Sequence, residues 1–364
     1  MPTIDLDDAH DTDNTDGTST GGFAVLTEPR PPRRRRLPSL GRYTGVVTAL
    51  VVVCVYLGAT QSVFLTWGNI TNIVASNSVV LVLAIGATFV IISGGIDMSA
   101  AAATAACGMM LGVALREGLP APVAILAPLV FGIALGLVNG LLISRLKISF
   151  LVVTLGGLSI WSSFSLVVND GATISVFSQD GFRPLYRFVN DDVAGVPYIM
   201  VFDVLLVLAA GAVLRYTSFG RALFAVGSNP EAARINGVNI DRVVLATYGV
   251  AGLTAGLAGL IQVGRLTGAA PSVDPTMLLT VIAAVLIGGT AFSGGEGGVL
   301  GTVIGVAFLG VVSNGLTLSE VSAFWQGTVN GLILILAVAT GTARDRGWFR
   351  RPLPLRRARS ADPA

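Results

Sequence analysis

A single acidic side chain interrupts a long apolar stretch early in the chain, directly after a pair of glycines. The segment contains Gly94, Gly95, Ile96, Asp97 and Ser99. Two successive glycines bend or break a helix, because neither has a β-carbon to restrict its dihedral angles. A carboxylate at the centre of a membrane costs at least about 2.5 kcal/mol, which makes it a functional candidate. Asp97 therefore orients a polar ligand, holds the turn by accepting backbone N–H groups, or caps the next helix.

A second run of glycines surrounds another isolated acidic residue near the other end of the chain. Gly288, Gly289 and Thr290 come first, and Ser293 and Glu296 follow. In a membrane protein such a run lets two helices approach closely or forms a turn between two spans, and a flexible linker is the alternative. Both runs place a glycine pair shortly before the acid. This indicates either an internal repeat of the kind found in transporters or a chance likeness in a glycine-rich chain.

A polar segment at about residues 216–242 carries the signals of a short helix. Asn229 is a favourable N-cap, Pro230 suits the first helical position, and Glu231 suits the positive end of the helix dipole. Gly237 is placed to end the helix. A helix of two turns is unstable alone. We therefore expect it to pack against another surface, and a turn at the membrane surface is the alternative.

The rare reactive residue types exclude several kinds of chemistry. His10 is the only histidine and lies in a polar tail, which excludes Ser-His-Asp catalysis and histidine-based metal sites from the apolar region. Lys147 is the only lysine and does not follow a glycine, so the chain has no phosphate-binding loop of the G-x-x-x-x-G-K-[ST] type. Cys54 and Cys107 lie in separate apolar runs and indicate no disulfide framework. We expect no catalytic residue, no metal site and no cofactor in this chain.

The composition indicates that most of the chain crosses a membrane as helices. Of its 364 residues 53% are hydrophobic and 12% are charged, against roughly 25% charged residues in soluble domains. The mean hydropathy is +0.77. We predict an all-α polytopic membrane protein with about ten spans, each near the ~20 residues that cross a bilayer. The predicted spans are 44–66, 76–94, 98–115, 122–144, 150–169, 198–215, 243–264, 277–292, 298–316 and 322–341.

The basic residues orient this predicted fold. The segments on the outer side hold only four of the 23 Lys and Arg residues, namely Arg116, Arg183, Arg187 and Arg265. Because basic segments stay in the cytoplasm, both termini are predicted to be cytoplasmic. We predict a disordered tail over 1–43, a transmembrane domain over 44–342 and a basic tail over 343–364. The outer loop 170–197 is either a partner-binding surface or a solvated cap.

Two of these segments resemble motifs of one transporter family. Residues 231–237, with their Glu-Ala-Ala start and final glycine, resemble the E-A-A-x-x-x-G loop of the permeases in ATP-binding-cassette (ABC) importers. Residues 94–99 resemble the G-G-I-D-L-S signature of the ribose/xylose-type sugar permeases in that group, with Met98 in place of leucine. The resemblance implies that the short helix docks in a groove of an ATPase.

The third segment is similar to the same family. Residues 288–301 resemble its G-G-T-S-x-x-G-G-x-G-S-x-x-G segment, with Ala291 and Gly298 in place of two serines. Asn314 follows at the expected place. The three motifs occur in order, and the resemblance covers about residues 70–340. It implies a type II ABC-importer-like permease.

The resemblance also implies roles and partners. Coupling to the ATPase is implied for Asn229, Glu231, Ala232, Ala233, Arg234 and Gly237. A place in the translocation path or its motifs is implied for Gly94, Gly95, Asp97, Ser99, Gly288, Gly289, Thr290, Ser293, Glu296 and Asn314. The implied partners are a second permease copy or paralogue, an ABC ATPase that binds ATP–Mg, and an extracytoplasmic sugar-binding protein. The implied location is the cytoplasmic (inner) membrane, in the lipid bilayer, with no nucleic acid as partner.

Other functions remain alternatives from the sequence. An ion-coupled secondary transporter would commit intramembrane acidic and basic residues to ion coupling, and the spans offer little beyond Asp97, Asp203 and Glu296. A membrane-embedded enzyme would need a clustered acid pair or a membrane histidine. Within the permease interpretation, the solute is a monosaccharide or similar polyol. A nucleoside, a furanosyl signalling compound or a branched-chain amino acid is the alternative.

Overall fold

A computed structural model describes residues 43–274 and 276–322, together with positions 325, 327–329, 331–333, 335, 336 and 339. The two predicted tails, apart from Tyr43, and most of the predicted tenth span lie outside this part of the chain. The helices are α1 (Thr44–Thr60), α2 (Trp67–Ile92), α3 (Ala100–Arg116), α4 (Ala121–Ser144), α5 (Phe150–Val167), α6 (Arg183–Asn190), α7 (Tyr198–Tyr216), α8 (Ser218–Ser228), α9 (Pro230–Ile235), α10 (Ile240–Leu266), α11 (Met277–Ile287) and α12 (Val299–Leu318).

Nine of these helices coincide with the first nine predicted spans, although only some are long enough to cross a bilayer. Within the described residues, six helices are long and apolar enough by length and composition: α2, α4, α5, α7, α10 and α12. The other three, α1, α3 and α11, are apolar but shorter. The predicted span 277–292 is too long, since α11 ends at Ile287 where a glycine pair begins. The predicted span 76–94 is too short, since α2 begins at Trp67 behind its N-cap Thr66.

Helices α2 and α10 form the centre of the bundle. About 72% of the apolar window of α2 and 67% of that of α10 are buried, as expected for helices that are apolar on all sides. Helix α10 packs most extensively against α4. A β-carbon on Gly136 of α4 would overlap the carbonyl oxygen of Tyr248, and one on Gly252 of α10 would overlap the carbonyl oxygen of Gly132. Small residues let helix backbones approach this closely.

The predicted outer loop 170–197 is folded rather than irregular. It contains the 3-10 turn Asp180–Phe182 and α6, which buries Leu185 and Val189. It also contains β1 (Ile174–Ser175), β2 (Asp192–Val193) and β3 (Val196–Pro197), and β4 (Gly268–Ala269) follows α10. Strand β1 pairs antiparallel with β4, and β2 pairs antiparallel with β3. This segment is therefore a compact cap, with its apolar side chains packed onto α3 and α10.

Candidate functional site where three segments meet

Helix α9 is defined at both ends by local hydrogen bonds. The side-chain oxygen of Asn229 accepts a hydrogen bond from the Ala232 N–H at 3.0 Å, which caps the first turn. At the other end Gly237 has a φ of +81°, the left-handed conformation that glycine adopts without cost. The N–H of Val238 donates to the Ala233 carbonyl, which closes the terminal turn. The sequence prediction of a short helix between Asn229 and Gly237 is confirmed.

Helix α9 has one buried residue and an exposed remainder. Ala233 is 4% exposed and packs in a cluster with apolar residues of α2, α8 and α10. Glu231 and Arg234 are exposed and form an ion pair of 2.7 Å, of a kind that contributes at most about 1 kcal/mol. Ile235 is 78% exposed. The helix thus rests on the bundle by Ala233 and presents charged and apolar side chains away from it.

The first glycine pair ends α2 with a defined turn. The Gly94 N–H donates to the Ile91 carbonyl and the Gly95 N–H to the Val90 carbonyl, while Gly94 has a φ of +86°. These paired bonds satisfy carbonyl groups that the helix end would otherwise leave free. The five residues 95–99 then lead into α3, so the break that the sequence predicts between these helices is confirmed.

Asp97 holds the short loop before α3. Its carboxylate accepts hydrogen bonds from the Ser99 N–H at 2.9 Å and the Ser99 hydroxyl at 2.6 Å. The Asn139 amide of α4 donates to the same hydroxyl at 2.9 Å. Of the three roles open for Asp97, the geometry therefore shows the turn-holding one, and it adds a link to α4.

Two further side chains hold the same loop by its backbone. The carbonyl oxygen of Ile96 lies 3.4 Å from the Tyr248 hydroxyl of α10 and 3.4 Å from the Thr154 hydroxyl of α5. Tyr248 is 1% exposed and Thr154 is fully buried. Three helices, α4, α5 and α10, thereby fix the position of the loop between α2 and α3.

The second glycine pair ends α11 with the same kind of turn. The Gly289 N–H donates to the Leu286 carbonyl, the Thr290 N–H donates to the Val285 carbonyl, and Gly289 has a φ of +83°. The two helix breaks thus share their hydrogen-bond pattern. The connecting loop to α12, residues 290–298, is longer than its counterpart 95–99, and this added length carries the remaining glycines.

The loop after α11 lies on the end of α2. The Gly295 N–H donates to the carbonyl oxygen of Ile92, the last residue of α2, at 2.9 Å. A β-carbon on Gly294 would lie 2.9 Å from the α-carbon of Gly94, closer than packed carbon atoms approach. Gly294 and Gly295 have φ values of +83° and +74°. Only glycines fit this contact, for reasons of both space and backbone conformation.

The end of α8 completes the contact. A β-carbon on Gly227 would overlap the Ile92 carbonyl oxygen and would lie 2.6 Å from the Gly295 nitrogen. The hydroxyl of the next residue, Ser228, donates to the Gly295 carbonyl at 3.4 Å. We call the contact among Ile92, Gly94, Gly227, Gly294 and Gly295 the three-segment junction. It joins the two glycine motifs, about 200 residues apart in the sequence, to the end of α8. Gly227 of α8 lies two residues before Asn229, the cap of α9.

Several predicted residues are not part of this contact, although Ser293 and Glu296 flank its two glycines in the loop after α11. Asn314 of α12 pairs its side-chain amide with that of Asn69 on α2, through hydrogen bonds of 2.9 and 3.1 Å. Ser293 and Glu296 are exposed in the loop after α11. Thr290 is 3% exposed, and its hydroxyl has no hydrogen-bond partner within the described part of the chain.

The sequence interpretation did not single out Asp203 as a site residue. This carboxyl group of α7 is 3% exposed and accepts a hydrogen bond from the Ser78 hydroxyl at 2.8 Å. Its second oxygen has no partner among the residues that the structure describes. Asp203 lines a largely apolar cleft of about 290 Å³ between α2, α7 and α12, together with Asn77. An acidic residue within an apolar span is the signal that marks such a position.

The fold and the site define a polytopic helical membrane protein with interrupted helices and a small exposed helix. This chain belongs to the family described as branched-chain amino acid transport system / permease component, whose model matches residues 69–338. It is therefore a transport subunit rather than an enzyme.

Curated relatives cover most of the chain. It is 35% identical over 305 residues to the ribose import permease protein of Bacillus subtilis (strain 168), covering 83% of this chain and 92% of the relative. The ribose import permease protein of Escherichia coli (strain K12) is 32% identical over 290 residues, covering 80% and 90%. The galactose/methyl galactoside import permease protein of Haemophilus influenzae is 31% identical over 313 residues, covering 82% and 93%. No solved structure matches.

Proposed function

We propose that this chain is the membrane-spanning subunit of an ABC importer that carries a monosaccharide or a similar small polyol across the cytoplasmic membrane. The observation that carries the proposal is the form of α9. It is capped at both ends, rests on the bundle by Ala233, and exposes Glu231, Arg234 and Ile235. A short helix that presents an apolar side chain beside charged ones suits a groove in a partner protein.

The motor belongs to a separate subunit in this proposal. The sequence has no phosphate-binding loop with its glycine-lysine pair, so ATP–Mg binds to a partner ATPase. The residues that receive its movement are Asn229, Glu231, Ala232, Ala233, Arg234 and Gly237. A second permease, identical or paralogous, encloses the path with this one, and an extracytoplasmic binding protein delivers the solute.

A sugar is the favoured solute because the relatives above are named as import permeases for ribose and for galactose or methyl galactoside. The family description names branched-chain amino acids instead. The first solutes to test are therefore D-ribose, D-galactose and L-leucine.

The test is uptake by liposomes that contain the permease with its ATPase, supplied with ATP inside and binding protein outside. We expect accumulation of radiolabelled D-ribose or D-galactose that requires all three components. The matched control omits only the ATPase. Uphill accumulation in that control would overturn the ATP-driven assignment, and accumulation of L-leucine alone would overturn the sugar assignment.

A further inference from the structure

The three-segment junction lies between the proposed docking helix and the bundle. From its geometry we infer that it makes α8, α9 and the two helix breaks move as one body, so that the glycine motifs serve mechanical coupling rather than solute binding. This inference rests on the proposed function and deepens it. It reassigns Gly94 and its neighbours from the translocation path to the coupling machinery.

The junction consists of backbone against backbone. Between Gly227 and the end of α2 there is no room for even one β-carbon, and the same holds between Gly294 and Gly94. A contact through flexible side chains absorbs a small displacement by changing rotamers, whereas close-packed backbone transmits it. Any shift of Gly227 toward α2 therefore displaces Ile92 or the Gly295 loop directly.

An apolar cluster connects the helices next to the junction. Val226 of α8 and Ala233 of α9 are buried in one cluster with Phe89 and Ile92 of α2 and Val299 of α12. The residue on which α9 rests is thus part of the same cluster as the last turn of α2 and the first turn of α12. This cluster joins the short helix to both elements that flank the junction.

The loop after α2 passes the displacement to the rest of the bundle. The Asp97–Ser99–Asn139 chain of hydrogen bonds links it to α4, and the Ile96 carbonyl links it to Tyr248 of α10. Helices α4 and α10 are in close contact through glycines, so they respond together. A chain of packed and hydrogen-bonded groups of this kind is the physical carrier of coupling between distant sites.

The first experiment compares Gly227→Ala with Gly305→Ala in the assembled transporter. In both variants the new β-carbon meets a backbone carbonyl oxygen, that of Ile92 or that of Ala284 on α11. We expect Gly227→Ala to lower uptake per ATP hydrolysed by roughly two- to thirty-fold, the range that changes within coupling networks produce. The concentration of solute-loaded binding protein at half-maximal uptake should not change. Gly305→Ala should lower the melting temperature without changing uptake per ATP.

The outcomes separate coupling from general stability. An unchanged ratio of uptake to hydrolysis in an assembled Gly227→Ala complex would overturn the inference, and so would an equal loss of that ratio in Gly305→Ala. If Gly227→Ala does not assemble, hydrogen exchange of the unsubstituted complex decides. The Gly295 amide, bonded to Ile92, should exchange slowly both without nucleotide and with ATP bound. Fast exchange in either state would show that the junction opens, and this would overturn the inference. The exchange measurement does not depend on import, so it tests the inference even if no tested solute is imported.

Discussion

Asp97 and Asp203 are both acidic residues in apolar surroundings, and their environments differ. Asp97 accepts two hydrogen bonds from Ser99 and so holds the loop before α3. Asp203 accepts one from Ser78 and lines an apolar cleft. In the sequence the two residues look alike, because each is an aspartate within an apolar stretch. Only the neighbours that the fold supplies distinguish a loop-holding carboxylate from one beside a cleft.

At the residue scale, Gly237 allows a prediction that separates backbone conformation from crowding. Its φ is +81° and no atom lies within 4 Å of a β-carbon placed on it. The left-handed conformation costs an L-residue about 1–2 kcal/mol, and asparagine adopts it most readily. We expect Gly237→Val to lower ATP-driven uptake roughly tenfold, the change that about 1.4 kcal/mol brings, while the protein still inserts.

The matched control for this variant is Gly237→Asn, which should retain most of the uptake in the same liposome measurement. Full uptake by both the valine and the asparagine variants would show that the left-handed end of α9 has no part in coupling. A loss in both would indicate that the glycine surface itself is in contact with the partner.

At the element scale, the contact between α4 and α10 depends on glycines. Gly132 and Gly136 of α4 meet Gly252 and Gly256 of α10, so that the helix backbones nearly touch. The sequence shows glycines four residues apart in both apolar stretches. It does not show which of the helices they join, because small residues at this spacing suit any close helix pair.

Alanine substitutions on two helices should differ in their effect on stability. In Gly136→Ala the β-carbon overlaps the Tyr248 carbonyl, so we expect a loss of about 1–3 kcal/mol from overpacking. In Gly211→Ala on α7 the β-carbon meets no atom within 4 Å, and alanine favours a helix over glycine by roughly 1 kcal/mol. Thermal unfolding in detergent should show a lower melting temperature for the first variant and no decrease for the second. A stable Gly136→Ala protein would contradict the close packing of α4 on α10.

At the scale of the whole molecule, the distribution of charge predicts the orientation in the membrane. The folded cap at 170–197 should face outward and α9 should face the cytoplasm, since basic residues concentrate on the predicted inner side. We expect an impermeant maleimide to label Asp180→Cys in intact cells and Asn236→Cys only after permeabilisation. Both positions are exposed, and the parent chain, with Cys107 buried and Cys54 half-buried, is the control. Labelling of both variants in intact cells would contradict the predicted orientation.

The sequence by itself determined the helical membrane class, the places of nine apolar helices and the short capped helix α9. These features follow from local signals in the sequence, namely the length of each apolar stretch, the capping residues and the glycines that end helices. Helix ends such as Ile287 were less well determined, because apolar residues continue past the glycine turn.

Only the tertiary structure decided what the glycine motifs contact. Gly94, Gly227 and Gly294 lie in three separate segments, and no periodicity relates them to one another. A glycine in the sequence does not indicate which segment packs against it, since a residue without a side chain permits close approach from any direction. Their meeting at the end of α2 follows from the packing of whole helices, and it is this packing that places α9 against the bundle.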